Sequence, residues 1–332
     1  MIQFTESFVA LDYKGLKYNP CDDLIFPSVI RVGDRIEGVL GKYYLYYAPH
    51  NAPGGICLAV ADNLRGPWKE VDGNPLIATV WEPHHDVSHI SSPHAIWRED
   101  LQEIWLYYHG ENTTTRWARS KDGIAFTYGG EAIQTEMAES PSNLPEGFGS
   151  AGAPGASAHL DMSGASYARV FDSPFAESAG RFLMVVLLFK YSEGSWERFE
   201  KFGLYPAWSD DGEAWSLADD PIVSLEDFGH QAFVCSPFIH TRGDRVYLLF
   251  HLDEVTEAAV GRNLTAVCAV EIGQDLKPVG EPFTICDRTF FGESNQRFAD
   301  PCTIEEDGEM FLFGAIGPRL NQRIGCAVGR VE

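Results

Sequence analysis

Apolar residues along this chain cluster in short runs separated by Gly, Asp, Asn and Pro. "KYYLYYAPH", "EIWLYYHGE", "RFLMVVLLFKY", "RVYLLFHLD" and "EMFLFGAIG" are five such runs, rich in aromatic and β-branched residues. Runs of this length and composition predict β-strands. No long segment carries the 3.6-residue period of an amphipathic helix. The pattern therefore predicts an all-β chain.

Each aromatic run occupies the same place in a recurring unit. Ahead of it, a polar loop ends in an X-Pro step and runs into a strand: "IFPSVIRV", "SSPHAIWRE", "DSPFAES", "CSPFIHTRG" and "ADPCTIEEDG", with Pro27, Pro93, Pro174, Pro237 and Pro301. Proline at the first residue of a strand costs no ladder hydrogen bond. Behind the aromatic run comes a strand of small residues, as in "GICLAVADNLRGPWKEV" and "LTAVCAVEIGQDLKPVG". The unit recurs roughly every 60–80 residues, against about 40–50 for a compact four-stranded propeller blade. Longer loops account for the excess, above all the Gly/Ala/Ser/Pro-rich insert "SPSNLPEGFGSAGAPGASAHLDMSGAS".

Five copies predict a five-bladed β-propeller, in which radial repetition hides most sheet edges. The expected organisation is a single domain over 1–332, with blades near 20–80, 85–135, 165–225, 230–288 and 296–332. The last copy has three strands, and the N-terminal strand 1–12 is expected to complete it as a latch. A β-sandwich would show shorter, more even turn spacing without the fivefold echo. Two separate domains would need a linker, for which 140–166 is the best candidate.

Composition narrows the partners. The 332 residues are 45% hydrophobic and 13% aromatic, ample for a large core. A net charge of −23 disfavours nucleic acid, which needs a basic surface. Seven cysteines show no CxxC spacing, and Cys57, Cys235, Cys268 and Cys326 lie inside apolar runs, as buried free thiols do. The segment "MIQFTESFVALDYKG" lacks the basic and apolar regions of a signal peptide. No run approaches the length of a membrane helix. The expected location is the cytoplasm, with no membrane partner.

In a propeller the first strand of each blade lines the central channel, so the loops leading into those strands gather at one mouth. The X-Pro steps should bring together Asp23, His89, His94, Asp172 and Asp300. The ends of the second strands should add His50, His109 with Glu111, and His251 with Asp253 and Glu254. Carboxylates can act as acid and base on a glycosidic bond, and aromatic faces stack on sugar rings. Among the aromatics, Trp81, Trp97, Trp117 and Trp196 fall near loops or strand ends. His85 and His89 are four apart, but Pro83, Val87, Ile90 and Pro93 exclude the helix a zinc pair would need. No HExxH, P-loop or GxSxG motif is present. No cofactor is required, although an oxygen-lined channel would suit a structural Ca2+ or another hard cation.

With these segments in view, the chain resembles the five-bladed propeller glycosidases around glycoside hydrolase family 43. "GKYYLYYAPH" followed by "GICLAVADNLRGPWKEV" is similar to that group's first blade, "SSPHAIW" to its second-blade start, and "VFDSPF" to the third-blade start that carries an aspartate. The resemblance implies inverting hydrolysis by an Asp base, a Glu acid and a third Asp that tunes the acid. Phe26 stands where the base normally precedes the first-blade proline, and Cys235-Ser236 where the acid precedes the fourth. Asp172 carries over as the third Asp. Related propellers specific for anhydrogalactose use a histidine as acid, which the histidine-rich second-blade start would suit.

The expected function is a glycoside hydrolase acting on a small oligosaccharide. Asp23 or Asp300 would be the base, Glu111 or a histidine such as His89 the acid, and Asp172 the modulator. His94, His109, Arg116, Trp117, His251 and Glu254 would hold the sugar. Two alternatives stand beside it: a sugar-binding propeller without catalysis, and a lyase for uronic-acid glycans, which the acidic surface disfavours.

Overall fold

The computed structural model describes residues 3–49, 52–134, 162–175, 178–191, 199–228, 232–254, 265–292 and 295–330. His50, Trp196 and most of the 140–166 segment lie outside the described residues, as does the side chain of Glu254.

The second strands explain the sequence pattern. Tyr43–Pro49 is buried at every position, and Glu103–Gly110 at all but its first. A strand in mid-blade has a neighbouring blade against each face, so the alternation of a half-exposed strand gives way to an unbroken apolar run. Outer strands read differently: Pro278–Cys286 is mostly exposed, and Thr127–Gln134 alternates between exposed and half-buried along most of its length.

Five antiparallel sheets form the blades. Blade 1 holds Leu24–Arg31, Tyr43–Pro49, Cys57–Ala61 and Lys69–Glu70, from channel to rim. Blade 2 holds Ile90–Arg98, Glu103–Gly110, Thr114–Ser120 and Thr127–Gln134. Blade 3 holds Met162–Asp172, Phe182–Tyr191, Phe199–Ser209 and Ser216–Leu217, with Val223–Ser224 also on its third strand. Blade 4 holds Ala232–Arg242, Arg245–Glu254, Thr265–Ile272 and Pro278–Cys286. Blade 5 holds Phe298–Glu306, Glu309–Ile316 and Arg323–Arg330, and its rim strand is the N-terminal Gln3–Leu11. The five innermost strands touch one another in cyclic order, which closes the ring. Apolar clusters fill the spaces between blades, such as Tyr46, Leu58 and Leu106 between the first two. Six of the seven cysteines are buried, and none is in a disulfide. Among the described residues no helix is long and apolar enough to cross a membrane.

Each innermost strand carries a bulge near its mouth end, where two residues face one on the second strand. The first residue of the bulge is left-handed in every blade: Phe26 (φ 56°), Ser92 (56°), Tyr167 (56°), Ser236 (50°) and Asp300 (58°). Left-handed backbone is costly for residues with a Cβ, and its recurrence in all five blades marks a built feature. The next residue is Pro27, Pro93, Pro237 or Pro301, and in the third blade Ala168.

That last substitution corrects the reading of the third unit. The bulge lies at Tyr167-Ala168, and Pro174 follows the end of the strand. Asp172 pairs with Phe182 beside the hairpin turn, five residues past the bulge, so it faces away from the mouth. At about 3.3 Å per residue, this places it roughly 16 Å along the strand. Its side chain is 77% exposed, with Arg181 Nε at 4.0 Å.

The N-terminal strand pairs with Arg323–Arg330 along most of its length. Arg65 of blade 1 bridges to Glu6 on that strand and to Glu309, each at 2.9 Å. These exposed ion pairs contribute little; the burial of Leu11 and the ladder contribute more. Deleting residues 1–11 should lower the melting temperature by about 10 °C or more, since each kcal/mol lost shifts a large domain by about 2–4 °C. An unchanged melting temperature in a calorimetric scan would show that the ring closes without this strand.

Candidate active site at the propeller mouth

Three of the five left-handed bulge residues line one pocket. Phe26, Tyr167, His251, Asp300, Arg297 and Arg319 are among the groups lining it. Blades 4 and 5 supply its charged side, while Phe26 of blade 1 and Tyr167 of blade 3 supply a neutral, aromatic side backed by His109 of blade 2.

The charged side is built around His251. The backbone N–H of Asp300 lies 3.1 Å from His251 Nδ1, and Asp300 Oδ1 lies 3.3 Å from the same nitrogen. Asp253 Oδ2 is 3.7 Å from Nε2. Burial opposes a charge on this imidazole, but Asp253 and Asp300 outweigh it and raise His251 to about 10. Burial likewise opposes charge on Asp300, yet His251 and Ser236, whose hydroxyl donates at 2.6 Å, hold it below the usual carboxylate range. Asp300 is therefore ionised at neutral pH. Asp253 accepts from Arg297 Nη1 at 3.0 Å and from the Thr265 hydroxyl.

Asp23 lies behind this group, fully buried, with Oδ1 accepting the backbone N–H of Gln322 at 2.6 Å. Burial pushes its carboxyl up to about 7, and Asp300 adds to the shift, while Gln322 and the Arg297 and Arg319 charges reduce it. Asp23 is thus half-protonated near neutrality, while Asp300 stays charged.

The neutral side centres on His109. Its Nδ1 accepts the backbone N–H of Tyr167 at 3.3 Å, so its proton sits on Nε2. Its ring lies 5.0 Å from Tyr167, 6.4 Å from Phe26 and 5.8 Å from His89. Burial drives His109 well below the ordinary histidine range, and His89 down to about 4, the latter partly offset by Asn112. Both imidazoles are neutral at pH 7, which removes His89 and His109 as proton donors there. His109 and His251 hold equivalent positions in blades 2 and 4 and meet the next blade differently: neutral His109 accepts the backbone N–H of Tyr167, whereas charged His251 pairs through Nδ1–H with the Asp300 carboxylate.

Glu111 sits on the turn after the second strand of blade 2, with φ 55°. Burial raises its carboxyl above the ordinary value, only partly offset by Arg116, whose Nη1 lies 3.6 Å from Oε2. Its side chain remains 17% exposed, more open than Asp23 or Asp300. Arg116 is buried and also faces Glu131 at 3.9 Å.

Other expected site residues are placed elsewhere. Asp172 is at the far end of its strand, as described above. Trp117 is buried between blades and stacks on Trp105 at 4.1 Å, where Gly129 leaves room for its ring. Strand Thr114–Ser120 lies third from the channel, too far out for a ligand platform. His94 follows the bulge by two residues and is buried beneath the mouth, its Nε2–H donating to the Val170 carbonyl at 2.8 Å. His84 stacks on Tyr128 at 4.3 Å, and His85 bonds the Thr79 carbonyl and the Tyr108 hydroxyl in a side hairpin. Of the histidines in "HHDVSHISSPH", only His89 reaches the mouth.

Sequence reasoning missed Tyr167, Arg297 and Arg319 in the pocket lining, and Arg169 beneath it. Arg169 is fully buried below the pocket, and its Nη1 donates to the carbonyls of Pro93 at 2.7 Å and Ser92 at 3.3 Å. Burial lowers it to about 10, so it keeps its charge at neutral pH. An arginine two residues after the third bulge was a signal available in "SYARVF", had the bulge been placed there. A fixed positive charge in the channel disfavours a hard cation at the same place. Among the described residues no group of three His, Cys, Asp or Glu side chains is arranged to hold a metal ion.

No family model matches the chain, and no curated protein matches it in sequence. Solved structures match it in shape. The endo-arabinase from Bacteroides thetaiotaomicron aligns over 98% of both chains at 13% identity, with a TM-score of 0.55. The catalytic domain of the GH62 α-L-arabinofuranosidase from Coprinopsis cinerea aligns over 99% of this chain and 97% of its own at 9% identity, TM-score 0.56. An exo-1,5-α-L-arabinanase from a bovine ruminal metagenomic library aligns over 92% of each chain at 13% identity, TM-score 0.55. At such identities the likeness concerns the fold: this chain shares its five-bladed propeller with glycoside hydrolases.

The raised carboxyl of Asp23 makes a stability prediction. A carboxyl shifted from its ordinary value to about 7 keeps a proton in the folded state that the unfolded chain has lost, so this group costs stability as pH rises from about 4 to 7. Asp23→Asn keeps an acceptor for Gln322 and removes the penalty. Its stability relative to wild type should grow over that window and level off above it, as read by urea denaturation. A difference independent of pH would show that Asp23 ionises normally.

Proposed function

We propose that the protein is a glycoside hydrolase acting on a small oligosaccharide, with Asp300 as general base and Glu111 as general acid. The observation that carries this reading is the opposite environment of two carboxyl groups: Asp300, which lines the pocket, is held ionised by His251 and Ser236, and Glu111, on the turn after the second strand of blade 2, is shifted upward by burial. Environments that push two carboxyls apart are how one site runs acid and base chemistry together. Phe26 and Tyr167, 5.1 Å apart, offer aromatic faces for a sugar ring. The glycoside hydrolases that share the fold support the same reaction class.

In this reading water attacks the anomeric carbon while Asp300 takes its proton. Glu111 gives its own proton to the departing glycosidic oxygen, and the anomeric configuration inverts. His251 keeps Asp300 charged and oriented. Asp23, behind the pair, changes the charge around Asp300 as it ionises. The acid role passes to Glu111 because His89 and His109 are neutral where the enzyme would work, and Asp172 has no part.

One observation favours a second reading, a sugar-binding propeller without catalysis. Asp300 is the only carboxylate among the five bulge residues, and its side chain is engaged by Ser236 and His251. Assays on aryl glycosides and defined oligosaccharides separate the two. Asp300→Asn and Glu111→Gln should each lower kcat by about 10²–10⁴-fold, whereas Asp172→Asn should match wild type. The product should appear first as the inverted anomer by NMR. Saturable sugar binding without turnover would establish the second reading, and an ultraviolet-absorbing unsaturated product would establish a lyase.

A further inference from the structure

Between blades 4 and 5, away from the mouth, lies a cleft of about 840 Å3. It opens beside the turn that joins Ala232–Arg242 to Arg245–Glu254. Its apolar wall is formed by Tyr247, Leu249, Ile285, Phe283 and Met310, with Ala269 leaving the floor open. Tyr247 and Phe283 meet edge to face at 6.5 Å. Phe283 is 40% exposed and Val279 56%, so the lip is apolar as well.

Polar groups interrupt this wall. His240 is 7% exposed and lines the cleft. Its Nδ1 is 3.2 Å from the Thr303 hydroxyl, while Nε2 has no hydrogen-bond partner among the described residues. The nearest carboxylate oxygen to Nε2, from Glu305, is 3.5 Å away. Burial lowers His240 to about 4, so the ring is neutral, with one donor and one acceptor nitrogen. Thr284 adds a hydroxyl, and Arg245 and Glu271, 3.4 Å apart, leave the lining without a dominant sign of charge.

We infer that this cleft is a second ligand site, for a neutral mono- or disaccharide. The chemistry argues for such a ligand over a hydrocarbon. A purely apolar occupant would take water from the Thr284 hydroxyl and from the Arg245 and Glu271 charges without replacing its hydrogen bonds. A sugar ring presents C–H faces to Phe283 and Tyr247, and hydroxyls that both donate and accept to Thr284, Arg245 and Glu271. The volume falls within the roughly 300–1,000 Å3 of small-molecule sites. Mixed charge at the rim offers no advantage to an anionic sugar. The site stands apart from the mouth and does not depend on the reaction proposed there.

Saturation-transfer NMR on the full chain, with methyl β-D-xylopyranoside, methyl α-L-arabinofuranoside and methyl β-D-galactopyranoside as probes, tests this. Thr284→Trp fills the cleft from its open edge. Val279→Trp covers the lip from an exposed position that folding does not need. Asp300→Asn reports on the mouth. At least one glycoside should bind, its Kd should rise about tenfold or more in both tryptophan variants (a 1.4 kcal/mol change), and binding should persist in Asp300→Asn. No binding by any probe would overturn the inference. So would wild-type affinity in both tryptophan variants, or occupancy by 1-anilinonaphthalene-8-sulfonate that no glycoside displaces. Hydrolysis at the mouth should be unchanged in both tryptophan variants, so the two proposals fail separately.

Discussion

The left-handed bulge near the mouth of each innermost strand is the constraint on which the rest of the site depends. Five strands packed around a common axis would otherwise present regular pleats to the channel. Skipping one residue in the ladder breaks that pleat in all five blades, and three of the left-handed residues, Phe26, Tyr167 and Asp300, line the mouth pocket. A left-handed residue with a Cβ survives only where its surroundings over-determine it. Here two of the five are fixed from the preceding blade, Tyr167 by donating its backbone N–H to neutral His109 and Asp300 by the ion pair of its carboxylate with charged His251. The same contact that shapes the backbone sets the electrostatics, since His251 also holds Asp300 ionised.

Burial and pairing divide the mouth. On blades 1, 4 and 5, opposite charges lie close enough to outweigh desolvation at His251 and Asp300, but not at Asp23. On blade 2, no carboxylate reaches His89 or His109, and desolvation leaves both neutral. A histidine's presence at the mouth therefore says little about its charge; its neighbours decide that. Arg169 beneath the pocket supplies positive charge where a cation might otherwise sit, and ties blade 3 to blade 2 through backbone carbonyls.

The blade pattern was legible because the second strands are buried on both faces, which writes an unbroken apolar run such as "YYLYYAP" into the sequence. Proline marked four of the five bulges, but the sequence suggested a strand start there, whereas each proline lies inside its strand as the second bulge residue. The third was unmarked. Ala168 takes proline's place, and an accidental X-Pro step at Ser173-Pro174 drew the eye one hairpin end too far. Asp172 was misplaced and Arg169 missed through that single shift. Trp117 and His94 were misjudged for another reason: strand-end position does not show which strand of a blade a residue occupies, nor how deep it lies. Asp300 and His251 line the mouth pocket, with Asp23 behind them and His109 beside Phe26 and Tyr167, but their protonation depends on cross-blade neighbours that spacing cannot reveal.

The central claim is that a sugar is held at the mouth, between the aromatic pair of blades 1 and 3 and the His251–Asp300 pair. A crystal structure of the Asp300→Asn protein soaked with an arabino- or xylo-oligosaccharide tests it most directly. The account predicts a sugar ring against Phe26 and Tyr167, with its anomeric carbon facing residue 300. Density confined to the opposite end of the channel near Asp172, or an empty mouth at saturating sugar, would contradict it.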